Sequence, residues 1–286
     1  MDMATLADLR KSVRNFTDTP IDEKSIQELT DYFETCKKLK DDIKTKTVIV
    51  KKDDLPDEIK DIGGYNGFLI EAPYYILIFS ERKSHFIENA GYIGEDIILK
   101  MTDMGIDSCW ITLKEEKVLE KPEAEMRVTG LIAAGYGGKY RNPKLINKMI
   151  WGNGYDNLKI QKLETDNEVR MDLLDMVFIG DYGNKAEIDD LINSGIAEAF
   201  YAARRAPSAL NRQPWRFILD RDVVVLVIKK DEYTNIYEAK IAAGAAMFNF
   251  AAVVSERLFV VKWQMGDINR NYSIPEDCVI AAYCGV

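Results

Sequence analysis

The sequence has one histidine in 286 residues and only four cysteines. The lone His85 gives little support to a histidine-rich metal site or to a Ser-His-Asp triad, and its polar surroundings predict a surface position. The cysteines, Cys36, Cys109, Cys278 and Cys284, show neither C-x-x-C pairs nor zinc spacing. We therefore expect no metal site, and free thiols in a reducing compartment.

The sequence also lacks a long apolar run and any excess of positive charge. No run approaches the roughly 20 residues of a membrane helix, and the first residues contain no apolar signal core. A net charge of −9 argues against nucleic acid or an anionic membrane as the partner. We expect a cytoplasmic globular protein whose partner is a small molecule.

Two stretches of the chain share one pattern. The segments "NAGYIGEDIILKMTDMGIDSCWI" and "IAAGAAMFNFAAVVSERLFVVKW" each contain an Ala-Gly pair, an apolar stripe at helical spacing and a tryptophan. Gly91 lies nineteen residues before Trp110, and Gly244 lies nineteen residues before Trp263. Each segment predicts a long buried helix that leads into a strand.

The flanks of these two segments agree with each other. A β-rich run precedes each predicted helix, at Pro73–Ser80 and at Asp222–Lys229. Another run follows each helix, at Gly130–Gly138 and at Cys278–Gly285, and both of these contain Ile-Ala-Ala. The order strand–helix–strand therefore occurs twice, which predicts two related halves.

We expect an α+β fold with a first half over residues 1–150, a linker over 151–184 and a second half over 185–286. Each half is predicted to have a mixed or antiparallel sheet flanked by helices, about a pseudo-twofold axis. A single continuous domain remains an alternative. Such a tandem corresponds to a symmetric dimer fused into one chain, so one of its two equivalent sites can decay. A monomeric protein is compatible with this organisation.

The segment "LRKSVRNF" occurs only in the first half. Its apolar residues recur at helical spacing, which predicts a helix with Arg10 and Arg14 on one face. Two guanidiniums and the Ser12 hydroxyl near a helix terminus suit a phosphate or another anion. A solvated amphipathic helix would show the same pattern, so the segment alone leaves both interpretations open.

The segment "APSALNRQP" occurs only in the second half. Pro207 should end the preceding helix, Ser208 could cap a new turn, and Pro214 precedes a predicted strand that begins with a core Trp215. The segment is predicted to be a rigid loop that holds small and amide side chains in fixed positions. The plainer alternative is a simple helix stop.

Together, "RKSVRNF" and "APSALNRQPW" resemble the nitroreductase family of FMN-dependent oxidoreductases, and most closely its TM-type branch. "GIDSCWI" and "AAGYGGKYR" are similar to two further segments of that family. The resemblance is discontinuous but extends over most of the chain, and the loop motif is its most specific part.

The resemblance implies a composite cofactor site. In dimeric members of the family, the arginine segment of one subunit and the Pro-Ser loop of the other hold the same FMN. This chain has one copy of each motif, in different halves, which implies one FMN in a single-chain pseudo-dimer. The implied cofactor-binding residues are Arg10, Lys11, Ser12, Arg14, Trp110, Ile111, Thr112, Lys139, Arg141, Pro207, Ser208, Ala209 and Asn211.

The resemblance also implies the chemistry. Hydride from NADH or NADPH would pass through flavin N5 to a small aromatic, quinone or nitro acceptor in a ping-pong reaction, with no catalytic acid or base from the protein. Two alternatives remain: a flavin-binding or ligand-sensing protein without turnover, and a scaffold without a cofactor.

Overall fold

The protein is described from a computed structural model that covers residues 1–64, 68–119, 126–138 and 169–286. The first half contains helices α1 (Met3–Leu9), α2 (Glu23–Phe33), α3 (Asp57–Ile62), α4 (Phe86–Asp103) and α5 (Glu115–Leu119), and strands β1 (Thr45–Lys51), β2 (Tyr74–Ser80), β3 (Asp107–Ile111) and β4 (Arg127–Gly135). The second half contains helices α6 (Leu173–Met176), α7 (Ile188–Ser194), α8 (Ala197–Arg204) and α9 (Ile236–Arg257), and strands β5 (Val177–Ile179), β6 (Trp215–Asp220), β7 (Val223–Lys229), β8 (Gln264–Met265) and β9 (Cys278–Gly285).

The strands form two sheets that follow the same path. The first sheet has the order β1-β2-β4-β3 and is antiparallel throughout. The second has the order β5-β6-β7-β9-β8, and only β5 pairs in parallel with its neighbour. Without β5, which lies within the predicted linker, both sheets place their first, second, fourth and third strands side by side. The predicted α+β fold with sheets and flanking helices is confirmed.

Helices α4 and α9 form the centre of the molecule. Both are buried over most of their length; α9 is apolar on nearly all sides, whereas α4 also buries Glu88, Asn89, Glu95 and Asp96. They pack against each other so closely that a Cβ atom on Gly91 would lie 2.3 Å from the carbonyl oxygen of Ile241. A Cβ atom on Gly244 would lie 2.1 Å from the carbonyl oxygen of Glu88.

These two close contacts are reciprocal. Gly91 and Gly244 are 153 residues apart, and so are their partners Glu88 and Ile241. Gly91 therefore meets α9 at Ile241, and Gly244 meets α4 at Glu88, in each case three residues before the glycine of the opposite helix. A two-fold relation between the helices would produce this arrangement. The Ala-Gly pairs of the two predicted segments meet at this crossing.

The apolar cores of the two halves interlock. Ala4, Leu6 and Ala7 of α1 belong to the same buried cluster as Phe200 and Phe248 of the second half. In the other direction, Tyr237 and Ile241 of α9 pack into the core of the first sheet. Neither core is therefore built from one half alone.

The remaining expectations concern metals, thiols and the membrane. The four cysteines are free, as predicted, and all four are buried. His85 lies immediately before α4, with 30% of its side chain exposed. Across the described ranges, there is no cluster of three or more metal-ligating side chains, and no helix has the length and apolar character needed to cross a bilayer.

The helix crossing makes a prediction about Gly244. An alanine normally stabilises a helix interior by about 1 kcal/mol relative to glycine. At Gly244 the added Cβ would collide with the backbone of Glu88, so we expect Gly244→Ala to lower the free energy of unfolding by about 1–3 kcal/mol. Chemical denaturation measures the change.

Gly285→Ala is the matched control, because a Cβ there meets nothing closer than 3.8 Å. Equal stability of both variants would contradict the crossing as described.

Candidate functional site

The predicted helix over the arginine segment is wrong. Helix α1 ends at Leu9, and Arg10 has extended dihedral angles (φ −56°, ψ 126°). Arg10 and Arg14 therefore do not share a helix face. Arg14 is exposed, and its guanidinium donates to the backbone carbonyl of Ser12 at 3.3 Å.

The segment after α1 lies along the first sheet instead. Ser12 forms a parallel bridge with Ser108, and Phe16 forms an antiparallel bridge with Gly137. The amide of Val13 donates to the carbonyl of Ser108 at 2.9 Å. These hydrogen bonds replace the ones that a short helix would make, and short helices gain little stability by themselves. The apolar residues whose spacing predicted a helix lie along the first sheet instead.

Arg10 lies at the junction of the two halves and is 4% exposed. Its guanidinium donates to the Ser12 hydroxyl at 3.2 Å and to the backbone carbonyl of Arg205 at 3.3 Å. Its Nε lies 4.0 Å from a carboxylate oxygen of Glu95 on α4. One side chain therefore connects the arginine segment, the central helix and the start of the Pro-Ser loop.

The Pro-Ser loop is held in an unusual backbone conformation. Leu210, Asn211 and Gln213 have φ values of 50°, 55° and 49°, in the left-handed region that non-glycine residues seldom adopt. Ser208 precedes the short helical turn at Ala209–Asn211 but does not cap it; its hydroxyl accepts from the backbone amide of Gln213 at 2.9 Å. The predicted cap at Ser208 is therefore wrong, although the hydroxyl does fix the loop.

Two amide side chains tie this loop to the chain before α6. The Gln213 side chain accepts from the amide of Met171 at 2.8 Å and donates to the carbonyl of Val169 at 3.2 Å. Asn211 donates to the same carbonyl at 2.8 Å. These bonds offset the conformational cost of left-handed residues, which is about 1–2 kcal/mol for each. A simple helix stop needs no such bracing.

Arginines gather around the start of the loop. Arg170 donates to the carbonyl of Ala206 at 2.7 Å, and Arg204 donates to the carbonyl of Arg170 at 3.4 Å. Arg205 lies 3.2 Å from the carboxylate of Asp8. With Arg10 bound to the carbonyl of Arg205, four arginines meet at this junction in a protein of net charge −9. Such a junction favours an anionic ligand.

Glu95 is fully buried beneath this junction. Burial raises the pKa of Glu95 to about 7, against the opposing effect of the Arg10 and Arg170 charges and of the polar groups of Asn249 and Trp110. Removal of water disfavours the charged form more than the neighbours favour it. Glu95 therefore changes charge near neutral pH.

The segment after β3 reaches the second half. The Trp110 ring packs against Gly94 and Gly130, where a Cβ atom would lie 2.3 Å and 3.2 Å from ring carbons. The Thr112 hydroxyl donates to the carboxylate of Glu238 on α9 at 3.0 Å. Small residues on α4 and β4 thus position the tryptophan, while the threonine connects the halves.

An open cleft of about 390 Å³ lies next to Thr112, between the halves. Its lining includes Gly64, Thr112, Lys114, Glu115, Tyr233 and Glu238. Burial raises the pKa of Glu238 above its usual range. The volume of the cleft is that of a small-molecule site, and its lining is largely polar.

The other predicted residues have varied positions. Lys11 is exposed and Ile111 is buried. Pro207 is buried, and Ser208 and Ala209 are half-buried at the loop. Lys139 and Arg141 lie outside the described residues.

The sequence patterns did not single out three polar side chains of this junction: Glu95, Gln213 and Arg170. Glu95 had one usable signal, a carboxylate within the apolar helix "YIGEDIIL". Gln213 is part of the quoted loop but has a bracing role that no spacing reveals. Arg170 lies in the predicted linker, where a lone charge carries no signal.

The fold and the two joined motifs define a nitroreductase-like protein. A family model described as "Putative TM nitroreductase" matches residues 3–251, well over half of the chain. The chain belongs to this family, which confirms the resemblance and makes the protein an oxidoreductase.

One solved structure shares the fold over the whole chain, and others match about half of it. A putative nitroreductase from Thermotoga maritima MSB8 matches with a TM-score of 0.56 and 17% identity, over 100% of this chain and 93% of that chain. A nitroreductase family protein from Clostridium difficile 630 has a TM-score of 0.39 and 15% identity, over 55% and 100%. A nitroreductase with bound FMN from Desulfitobacterium hafniense DCB-2 has a TM-score of 0.39 and 16% identity, over 50% and 93%. Among curated proteins, no sequence matches this chain.

The burial of Glu95 makes a prediction about pH. Its folded pKa is raised, so its contribution to stability is complete below its unfolded pKa and is lost as the pH rises through about 7. Glu95→Gln cannot ionise and escapes this loss. We expect the stability of the variant, relative to wild type, to rise by a few kcal/mol (about 1.4 kcal/mol for each pKa unit) between about pH 4.5 and 7.

Urea denaturation across this pH range measures the difference. Glu276→Gln, which removes an exposed carboxylate, is the control. A constant difference between Glu95→Gln and wild type would contradict the prediction.

Proposed function

We propose that the chain binds one FMN between its two halves and is an NAD(P)H-dependent oxidoreductase. The observation that carries the proposal is the hydrogen bond from Arg10 to the carbonyl of Arg205, at 3.3 Å. It joins the arginine segment and the Pro-Ser loop, which are almost two hundred residues apart in sequence. The residues from which the composite site was inferred are thus neighbours.

The donor set fits a phosphate ester. Arg10, with the Ser12 hydroxyl beside it, supplies charge-assisted and neutral hydrogen-bond donors, and the nearby arginines add positive charge. Bound FMN would supply hydride chemistry at N5, which protein side chains cannot provide. The protein's own contribution is to bind, orient and electrostatically match this group.

Each implied residue then has a proposed role. Arg10 and Ser12 would hold the phosphate, and the exposed Arg14 guanidinium would approach the pyrimidine edge. The backbone of residues 110–112 would approach N5 and O4, while Asn211 fixes the loop. The remaining candidates are Lys11, Ile111, Lys139 and Arg141 around the cofactor, and Pro207, Ser208 and Ala209 against the ring.

The first half has no counterpart of the Pro-Ser loop in its described residues, which supports a single FMN site. There, helix α2 leads to β1 as α8 leads to β6, but the segment after α2 is tied to α4. Asp96 accepts from the amide of Lys37 at 2.7 Å, and Asn89 accepts from the amide of Lys40 at 3.0 Å. This segment has neither the Pro-Ser sequence nor its left-handed residues. We therefore propose one FMN for each chain, and a monomer.

The donor and the acceptor would use one open site in turn. The sequence has no G-x-G-x-x-G fingerprint of a separate nicotinamide domain. NADH or NADPH would deliver hydride and leave, and a small aromatic, quinone or nitro compound would take it up. The cleft beside Thr112 has a suitable volume for such an acceptor.

The proposal predicts a yellow protein. We expect purified protein, after incubation with FMN, to retain one FMN for each chain and to bleach near 450 nm when NADH or NADPH is added anaerobically. Visible absorbance and flavin released by denaturation measure both quantities. Bound FMN that neither nicotinamide bleaches would favour a flavin-binding or sensing role, and no FMN uptake would contradict the proposal.

If both segments hold the same FMN, the arginine segment and the Pro-Ser loop are each essential for FMN binding. Arg10→Ala removes a phosphate donor and Ser208→Trp fills the loop side, so we expect each to weaken FMN binding at least tenfold. Fluorescence titration measures the affinity.

Arg82→Ala and Ser84→Trp are matched controls in an exposed turn before α4, and should bind FMN like wild type. Retention of wild-type affinity in both site variants would rule out this location.

A further inference from the structure

Glu95 and Arg10 form a buried charge pair between the halves. Their side chains are 0% and 3% exposed, and Arg10 Nε lies 4.0 Å from Glu95 Oε1. Neither carboxylate oxygen has a hydrogen bond within the described parts of the chain. The pair is therefore a loose ionic contact in a water-poor setting, where Coulomb interactions are stronger than at the surface.

The groups that face Glu95 come from four different places. Arg10 follows α1, Arg170 precedes α6, Trp110 belongs to β3 and Asn249 belongs to α9. Trp110 and Asn249 are neutral, so the charged groups among these four neighbours are the two guanidiniums. The neighbouring carboxylate of Asp96 is engaged elsewhere, by the Tyr32 hydroxyl at 2.6 Å and by a backbone amide.

We propose that Glu95 sets the anion affinity of Arg10, so that the protein holds the FMN phosphate tightly when Glu95 is protonated and weakly when it is ionised. This inference rests on the proposed function. An ionised Glu95 neutralises part of the guanidinium charge that the phosphate would otherwise use. A protonated Glu95 leaves that charge to the ligand, while the Ser12 and Arg205 contacts hold Arg10 in position.

The coupling between FMN binding and protonation of Glu95 determines whether affinity rises or falls with pH. A bound phosphate places negative charge near Glu95 and favours its protonated form, so binding takes up a proton wherever Glu95 is ionised in the free protein. One titrating group gives at most one proton, and hence at most about a tenfold loss of affinity for each pH unit. Because burial raises the pKa of Glu95 to about 7, we expect the loss of affinity to begin above about pH 7.

Glu95 is thus a positioning residue that acts through Arg10 and not on the reacting atoms. Glu95→Gln keeps the size of the side chain and removes its titration. We expect this variant to bind FMN more tightly than wild type at pH 8.5 and about equally at pH 6. Glu95→Asp keeps a carboxylate and should keep the pH dependence.

The experiment is a calorimetric titration of wild type, Glu95→Gln and Glu95→Asp with FMN from pH 6 to 9. Titrations in two buffers of different ionisation enthalpy give the number of protons taken up. The phosphate of FMN has a pKa of its own near 6, and the glutamine variant supplies that background. Riboflavin, which lacks the phosphate, should show no dependence on Glu95 in any of the three proteins.

The possible outcomes distinguish a failure of this inference from a failure of the proposed function. Weakening of wild-type binding above pH 7, with proton uptake that Glu95→Gln lacks, supports the inference. Parallel pH profiles for wild type and Glu95→Gln overturn it and leave the proposed function intact. No FMN binding by wild type at any pH overturns both. If Glu95→Gln fails to fold, proton uptake by wild type with FMN but not with riboflavin decides the question.

Discussion

The close crossing of α4 and α9 is the constraint on which the rest of the structure depends. Two glycines allow the backbones to approach, since any side chain there would meet a carbonyl oxygen. Both sheets pack against these helices, and Glu95 and Asn249 lie on them within the same junction. The halves share cores across this contact, so the site between them has a fixed geometry even though its parts come from distant segments.

The candidate site concentrates positive charge at one place in the molecule. The chain is acidic overall, yet arginines gather where the arginine segment meets the Pro-Ser loop. When it is ionised, the buried carboxylate beneath them offsets part of this positive charge, which would be unfavourable to bury uncompensated. Its raised pKa follows from the same burial, so this one side chain affects stability and, in the proposal above, the affinity for an anion.

Much of the fold was predictable, because long buried helices and strands have strong periodic patterns. The strands at Tyr74–Ser80 and Val223–Lys229 and both central helices lie where their apolar patterns predicted them. The stretch after Leu9 was not predictable, since its apolar spacing fits a helix as well as an extended segment. A bridge between Ser12 and Ser108 decides between them, and no local pattern encodes a partner so far away in sequence.

Local sequence patterns suffice for the α+β class, the repeated order of elements and the two motifs that identify the family. These follow from local periodicity and from short, specific residue spacings. Three contacts are visible only in the folded chain: Arg10 bonds to the carbonyl of Arg205, the Ser208 hydroxyl accepts from the amide of Gln213, and Glu95 lies next to Arg10. Such contacts depend on how buried elements pack, and packing is set by the whole chain at once.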